Sequence, residues 1–148
     1  MRAEQIAEQF PVVTSNSGAL DAVRLMADRR LPGLLVTDSQ GQPVTILPAS
    51  QVVRLLVPAY IQDDPSLAGV LGEQAADRIA DKLGGKSVEQ VLPRSAPHMP
   101  TVNADDTIVE VAAVMARDHS PLVAVVTGKR LIGVITASRL LEVALQAH

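Results

Sequence analysis

The apolar residues of this chain follow two periods that alternate along its length. Ala19, Ala22, Val23 and Met26 stand at i, i+3, i+4 and i+7, which places them on one face of a helix. Two short apolar runs follow, Leu34-Leu35-Val36 and Val44 to Leu47, separated by the polar turn Asp38-Ser39-Gln40-Gly41. Such runs joined by a glycine-containing turn predict a β-hairpin. Val12-Val13 predicts a short strand ahead of the helix, and a closing helix is expected from about Ala49 to Val57, where Pro58 stops it.

The same order then returns. Shifted by 89 positions, Pro11-Val12-Val13 meets Pro100-Thr101-Val102, and the helix face meets Ile108, Val111, Ala112 and Met115. Pro32 meets Pro121, and Val36 meets Val125. After the hairpin turn the offset falls to 88, and Ala49-Ser50 meets Ala137-Ser138. The lead-in segments correspond too, Glu4-Gln5-Ile6 with Glu89-Gln90-Val91, the second followed by a longer loop. In the second copy the apolar runs are Leu122 to Val126 and Leu131 to Ile135, around Thr127-Gly128-Lys129-Arg130, and the closing helix is expected from Ala137 to Ala147. Asp105-Asp106-Thr107 offers capping oxygens and favourable charge to the helix that follows.

A unit of about fifty residues has little core of its own, and its sheet needs a cover that the other copy can supply. The expectation is a mixed α/β (α+β) fold of two βαββα-type repeats related by a pseudo-twofold. Residues 1–58 form the first repeat, 87–148 the second, and 59–86 a connecting segment. In that segment Asp63-Asp64-Pro65-Ser66 reads as a helix start. Leu67, Leu71, Ala75, Ile79 and Leu83 recur every four residues before Gly84-Gly85, which predicts an additional amphipathic helix, packed against its own pair in the simpler reading and forming a dimer or partner surface in the other.

Composition narrows the function. The 148 residues are 47% hydrophobic with net charge −3, which excludes an intrinsically disordered chain. No cysteine is present, so thiolate metal sites, disulfides and cysteine nucleophiles are excluded. One Tyr, one Phe and no Trp leave few rings for stacking bases, and the basic residues are scattered, so no nucleic-acid partner is expected. The start of the chain has no apolar signal segment and no run reaches membrane-spanning length, so a cytoplasmic protein without membrane insertion is expected.

Candidate chemistry is sparse. His98, His119 and His148 lack metal-ligand spacing, and Ser15-Asn16-Ser17-Gly18 reads as a polar turn, in the wrong context for a nucleophile elbow. No glycine-rich phosphate loop is present. Met26 and Met115 match core filling. No constellation supports catalysis, and no metal, obligatory cofactor or enzymatic activity is expected.

The order of elements resembles the CBS domain, the module named after cystathionine β-synthase, here as a tandem pair. The second copy carries most of the likeness. Thr101 to Thr107 resembles the family's approach to its first helix, and Ser120 to Val126 its central strand. Leu131-Ile132-Gly133-Val134-Ile135-Thr136-Ala137-Ser138-Arg139 resembles the closing G-h-h-T-x-x-D signature, where h is hydrophobic. The first copy is more diverged, with Val44 to Gln51 at that place.

The resemblance implies a stand-alone regulatory module, not an enzyme. It would bind an adenosine-containing ligand (AMP, ADP, ATP or S-adenosylmethionine) in a cleft between the copies. It would form a homodimer and modulate a separate protein, such as a transporter or an enzyme on another chain. The implied ligand residues are Thr101, Val102, Asp105, Pro121, Leu122, Val123, Thr136, Ser138 and Arg139. A weaker second cleft would use Val13, Pro32, Gly33, Leu34 and Gln51.

Two departures bear on that expectation. The last letter of the signature is a carboxylate that accepts from ribose hydroxyls, and here it is Gln51 in one copy and Arg139 in the other. Gln retains one acceptor oxygen and Arg none. The signature threonine is kept at Thr136 but replaced by Pro48 in the first copy. The second-copy cleft is therefore the better candidate; Arg139 reads either as a donor to phosphate or, the commoner case for a surface arginine, as a solvated side chain on the first turn of the last helix. The alternative is an interaction or dimerisation module whose degenerate clefts bind no nucleotide.

Overall fold

The computed structural model describes residues 1–55, 64–66, 79–93 and 99–146. The first repeat opens with helix α1 (Ala3–Ile6) and strand β1 (Val12–Thr14), followed by α2 (Ala19–Asp28), β2 (Gly33–Thr37), β3 (Pro43–Pro48) and α3 (Ala49–Leu55). After helix α4 (Ile79–Leu83), the second repeat runs α5 (Val88–Val91), β4 (Thr101–Asn103), α6 (Ile108–Asp118), β5 (Leu122–Thr127), β6 (Arg130–Thr136) and α7 (Ala137–Gln146). Strands β1-β2-β3 form one three-stranded sheet in that order, and β4-β5-β6 another. The fold is mixed α/β, as the apolar periods indicate. Of the additional helix expected between the repeats, the described part is α4, ended by Gly84 and by Gly85 at φ +78°. Its expected stretch 67–78, and Pro58, lie outside the described residues.

Duplication is visible in individual backbone groups. The first helix of each copy gives way to a left-handed residue, Arg30 at φ +53° and His119 at φ +49°. One residue on, Leu31 N donates to Met26 O at 2.9 Å and Ser120 N to Met115 O at 3.2 Å. At the start of each closing helix, Ala49 N donates to Pro32 O at 3.0 Å and Ala137 N to Pro121 O at 2.9 Å. Helix α6 is capped by Thr107, whose hydroxyl accepts from Glu110 N at 3.3 Å. Asp106 instead accepts from Asn103 N at 2.9 Å and closes the preceding turn. The expected cap is thus the threonine of the Asp-Asp-Thr run.

The lead-in segments follow a pattern that the repeat boundaries do not convey: each docks on the opposite repeat. Ala3 N donates to Asp106 O at 2.8 Å and Glu4 N to Ala104 O at 2.9 Å. The same pair recurs 85 to 89 positions away, with Val88 N donating to Ser17 O at 2.8 Å and Glu89 N to Ser15 O at 3.1 Å. The chain accordingly divides into two compact units. One comprises Met1–Val12, Leu35–Ile46 and Pro97–His148; the other comprises Val13–Leu34 and Leu47–Ala96.

In the first of these units the central strand β5 is buried on both faces. Val123 and Val125 point to one side, where they meet Ala3, Ile6, Val111, Met115 and Val143 from the helices. Leu122 and Ala124 point to the other, against Leu35, Ile46 and Met99. That explains five successive buried residues from Leu122 to Val126, a run that alternation alone would not allow. In the second unit α2 buries Ala19, Ala22 and Met26, and α5 buries Val88 and Val91.

Gly133 makes the docking of the first lead-in segment possible. Glu8 and Val134 bond each other reciprocally, N to O, at 2.9 Å in both directions. A Cβ on Gly133 would stand 2.8 Å from the Glu8 carbonyl oxygen and 3.2 Å from the Ala7 Cβ. Gly133→Ala should therefore push the lead-in off β6 and cost about 1–3 kcal/mol, read as a lower urea midpoint. Full stability in that variant would show that this approach is not required.

Candidate functional site

The best-furnished corner of the second repeat is where β6 turns into α7. Thr136 ends the strand, and its hydroxyl accepts from Arg139 N at 3.1 Å, which satisfies an otherwise unpaired amide of the first helical turn. Ala137 N is tied to Pro121 O, and Leu122 stands opposite Thr136 in the β5–β6 ladder. The start of β5 and the start of α7 are thereby held side by side. Thr101 lies across β5 from Ala124, near the same end of the sheet, with its side chain exposed. Ser138 is exposed on the first turn of α7.

Arg139 is engaged by its own chain. Its Nε donates to Ile6 O at 3.3 Å and lies 3.9 Å from Glu8 Oε1, while Nη1 lies 3.6 Å from Glu142 Oε2. The side chain as a whole retains 29% exposure. Glu8 and the Ile6 carbonyl are neighbours of Arg139 that no local pattern reveals. Glu8 lies in the lead-in segment, and only the exchange between repeats brings it to Arg139. Glu142 was findable, since it sits three positions along the same helix.

The other expected residues divide by side-chain availability. Val102, Leu122 and Val123 are core side chains, so they can offer a ligand only main-chain groups. Pro121 is half-buried with its carbonyl already accepting. Asp105 is not brought to this corner: it follows Asn103, which pairs with Val126 at the far end of β5. Four residues of β5 separate that level from Leu122, about 13 Å at about 3.3 Å per residue. There the Asp105 carbonyl accepts from Arg2 Nη1. Asp105 instead borders a depression of about 330 Å³ with Glu4, Asn103 and Gly128.

In the first repeat Gly33 and Leu34 are buried, Val13 and Gln51 are half-buried and Pro32 is exposed. Pro48 stands where Thr136 stands in the second, so the hydroxyl cap is missing there. The polar-turn reading of Ser15 to Gly18 holds: Thr14 N donates to Ser17 Oγ at 3.0 Å. Elsewhere, the hydrogen bond from Arg117 holds the Asp118 carboxyl below its ordinary range, against the opposing effect of desolvation. That pair lies at the end of α6. Among the described residues no group of His, Asp and Glu could hold a metal ion, and no helix is long and apolar enough to cross a membrane. His98 and His148 lie outside the described residues.

Removing the cap isolates its contribution. Thr136→Ala should cost about 1 kcal/mol of stability, measured by urea unfolding, because Arg139 N loses its acceptor. An unchanged midpoint would mean that water replaces the hydroxyl without penalty.

The chain is similar to one known family and to three solved structures. The family description "CBS domain" matches residues 88–146. A CBS domain-containing protein of unknown function from Kribbella flavida DSM 17836 is 59% identical, covering 98% of this chain and 99% of that one, with a TM-score of 0.88. CBSX2 from Arabidopsis thaliana, a CBS-pair protein, is 18% identical over 99% of this chain and 95% of that one, with a TM-score of 0.76. A structure of CBSX2 in complex with AMP is 17% identical, covering 99% of this chain and 97% of that one, with a TM-score of 0.69. No curated protein matches the sequence.

Proposed function

Since the chain belongs to the CBS-domain family, we propose that it is a cytoplasmic sensor that binds an adenine nucleotide at the Thr136–Arg139 corner and modulates a separate protein. S-adenosylmethionine is the other adenosine-containing candidate. The observation that carries this reading is the capped start of α7 fastened to the start of β5, with the partly exposed Arg139 side chain in its first turn. An arginine at the start of a helix suits a phosphate. Thr101 and the main chain around Pro121 and Leu122 would border the nucleoside. A protein of the same fold holding AMP supports the ligand class.

The signalling step would be a population shift. A ligand alters what the module presents to its partner only to the extent that it binds two arrangements unequally. The partner would be an enzyme or transporter on another chain.

The second reading, an interaction module without nucleotide, is favoured by one observation: Arg139 already has Ile6 O, Glu8 and Glu142 as acceptors. Thermal unfolding with AMP, ADP, ATP and S-adenosylmethionine separates the two. A ligand at 100 times its Kd adds about 2.7 kcal/mol of stability. Arg139→Ala should weaken ATP while leaving the unliganded protein within about 1 kcal/mol of the parent. No shift with any compound at millimolar concentration would favour the interaction module.

A homodimer is part of the proposal. Leu141 and Leu145, one turn apart on α7, are 61% and 72% exposed, apolar side chains that a second copy would cover. Leu145→Glu should then convert a dimer to a monomer in sedimentation equilibrium. A parent protein that sediments as a monomer would remove this element.

A further inference from the structure

The surroundings of Arg139 carry an inference about how the proposed site is regulated, and it rests on the nucleotide reading above. We infer that Glu8 is a built-in competitor for Arg139, an anion of the chain itself that an incoming phosphate must displace. Three features of the corner support this. First, Glu8 and a ligand phosphate seek the same group, since the guanidinium carries only donors and its Nε faces Ile6 O and the Glu8 carboxylate.

Second, the Glu8 contact is built to release. Its 3.9 Å separation exceeds hydrogen-bond length, and its side chain is 57% exposed. The contact with Ile6 O is shorter, at 3.3 Å, and involves the main chain. Glu142 differs from Glu8 because it rides on the same helix as Arg139 and moves with it.

Third, the Glu8 side chain can leave without its backbone. The two Glu8–Val134 main-chain bonds hold the lead-in segment on β6 whatever the carboxylate does, and Gln9 Nε2 adds a bond to Ile132 O at 3.4 Å. Displacement therefore requires a side-chain rotation and no unfolding of the segment. The segment that reports on ligand is then the lead-in, which joins the Arg139 corner to Ala104 and Asp106 through α1.

Isothermal titration with ATP tests the inference on four proteins besides the parent: Glu8→Gln, Glu110→Gln, Arg139→Ala and the Glu8→Gln/Arg139→Ala double variant. Glu110 is an exposed carboxylate on α6 and controls for the loss of one negative charge. Glu8→Gln should bind ATP about two- to fivefold more tightly, the scale of an exposed ion pair. Glu110→Gln should match the parent, and Glu8→Gln should bring no gain when Arg139 is absent. A gain equal to that of Glu110→Gln, or one that persists without Arg139, overturns the competitor. ATP binding that is indifferent to Glu8 overturns it alone and leaves the nucleotide reading standing. Failure of every protein to bind ATP overturns both.

Discussion

The architecture depends on two short lead-in helices that each complete the other repeat. Helix α1 contributes Ala3 and Ile6 to the core beneath β4-β5-β6, and its amides bond Ala104 and Asp106. Helix α5 repeats the arrangement with Ser15 and Ser17. Each buried aliphatic side chain of this kind contributes about 1.5–3 kcal/mol, so neither segment is decorative. The exchange also explains why the compact units do not follow the repeats. Covalent order assigns residues 1–9 to one repeat, whereas burial assigns them to the other.

Much of the fold was legible because apolar spacing reports local geometry directly. The helix faces at Ala19–Met26 and Ile108–Met115, both hairpins and both closing helices appear where the periods place them. The lead-in exchange was not legible, because Glu4-Gln5-Ile6 and Glu89-Gln90-Val91 look alike and nothing in them names a partner. The run Leu122 to Val126 predicts a hairpin strand, but its burial on both faces shows only in the structure. Leu35, Ile46 and Met99 on one face are a tertiary fact.

The site was legible in part. Thr136 as a helix cap follows from residue type and position, and the structure has that bond. Arg139 was singled out for the charge it brings to a place where a carboxylate would be expected. Its engagement with Ile6 and Glu8 depends on a segment more than a hundred residues away, so no local pattern encodes it. Asp105 shows the converse. It lies within the stretch resembling the family's helix approach, yet strand register carries it to the opposite end of β5 from Thr136.

The crossed lead-ins also impose an order on synthesis. As the chain emerges from the ribosome, α1 is made first, yet its seat on Ala104 and Asp106 comes about a hundred residues later. Ser15 and Ser17 likewise wait for Val88 and Glu89. Contacts so distant in sequence form slowly, and apolar segments left uncovered meanwhile invite association. The unit of Val13–Leu34 and Leu47–Ala96 has all of its chain once residue 96 is made, whereas the unit that holds Met1–Val12 and Pro97–His148 stays incomplete until translation ends.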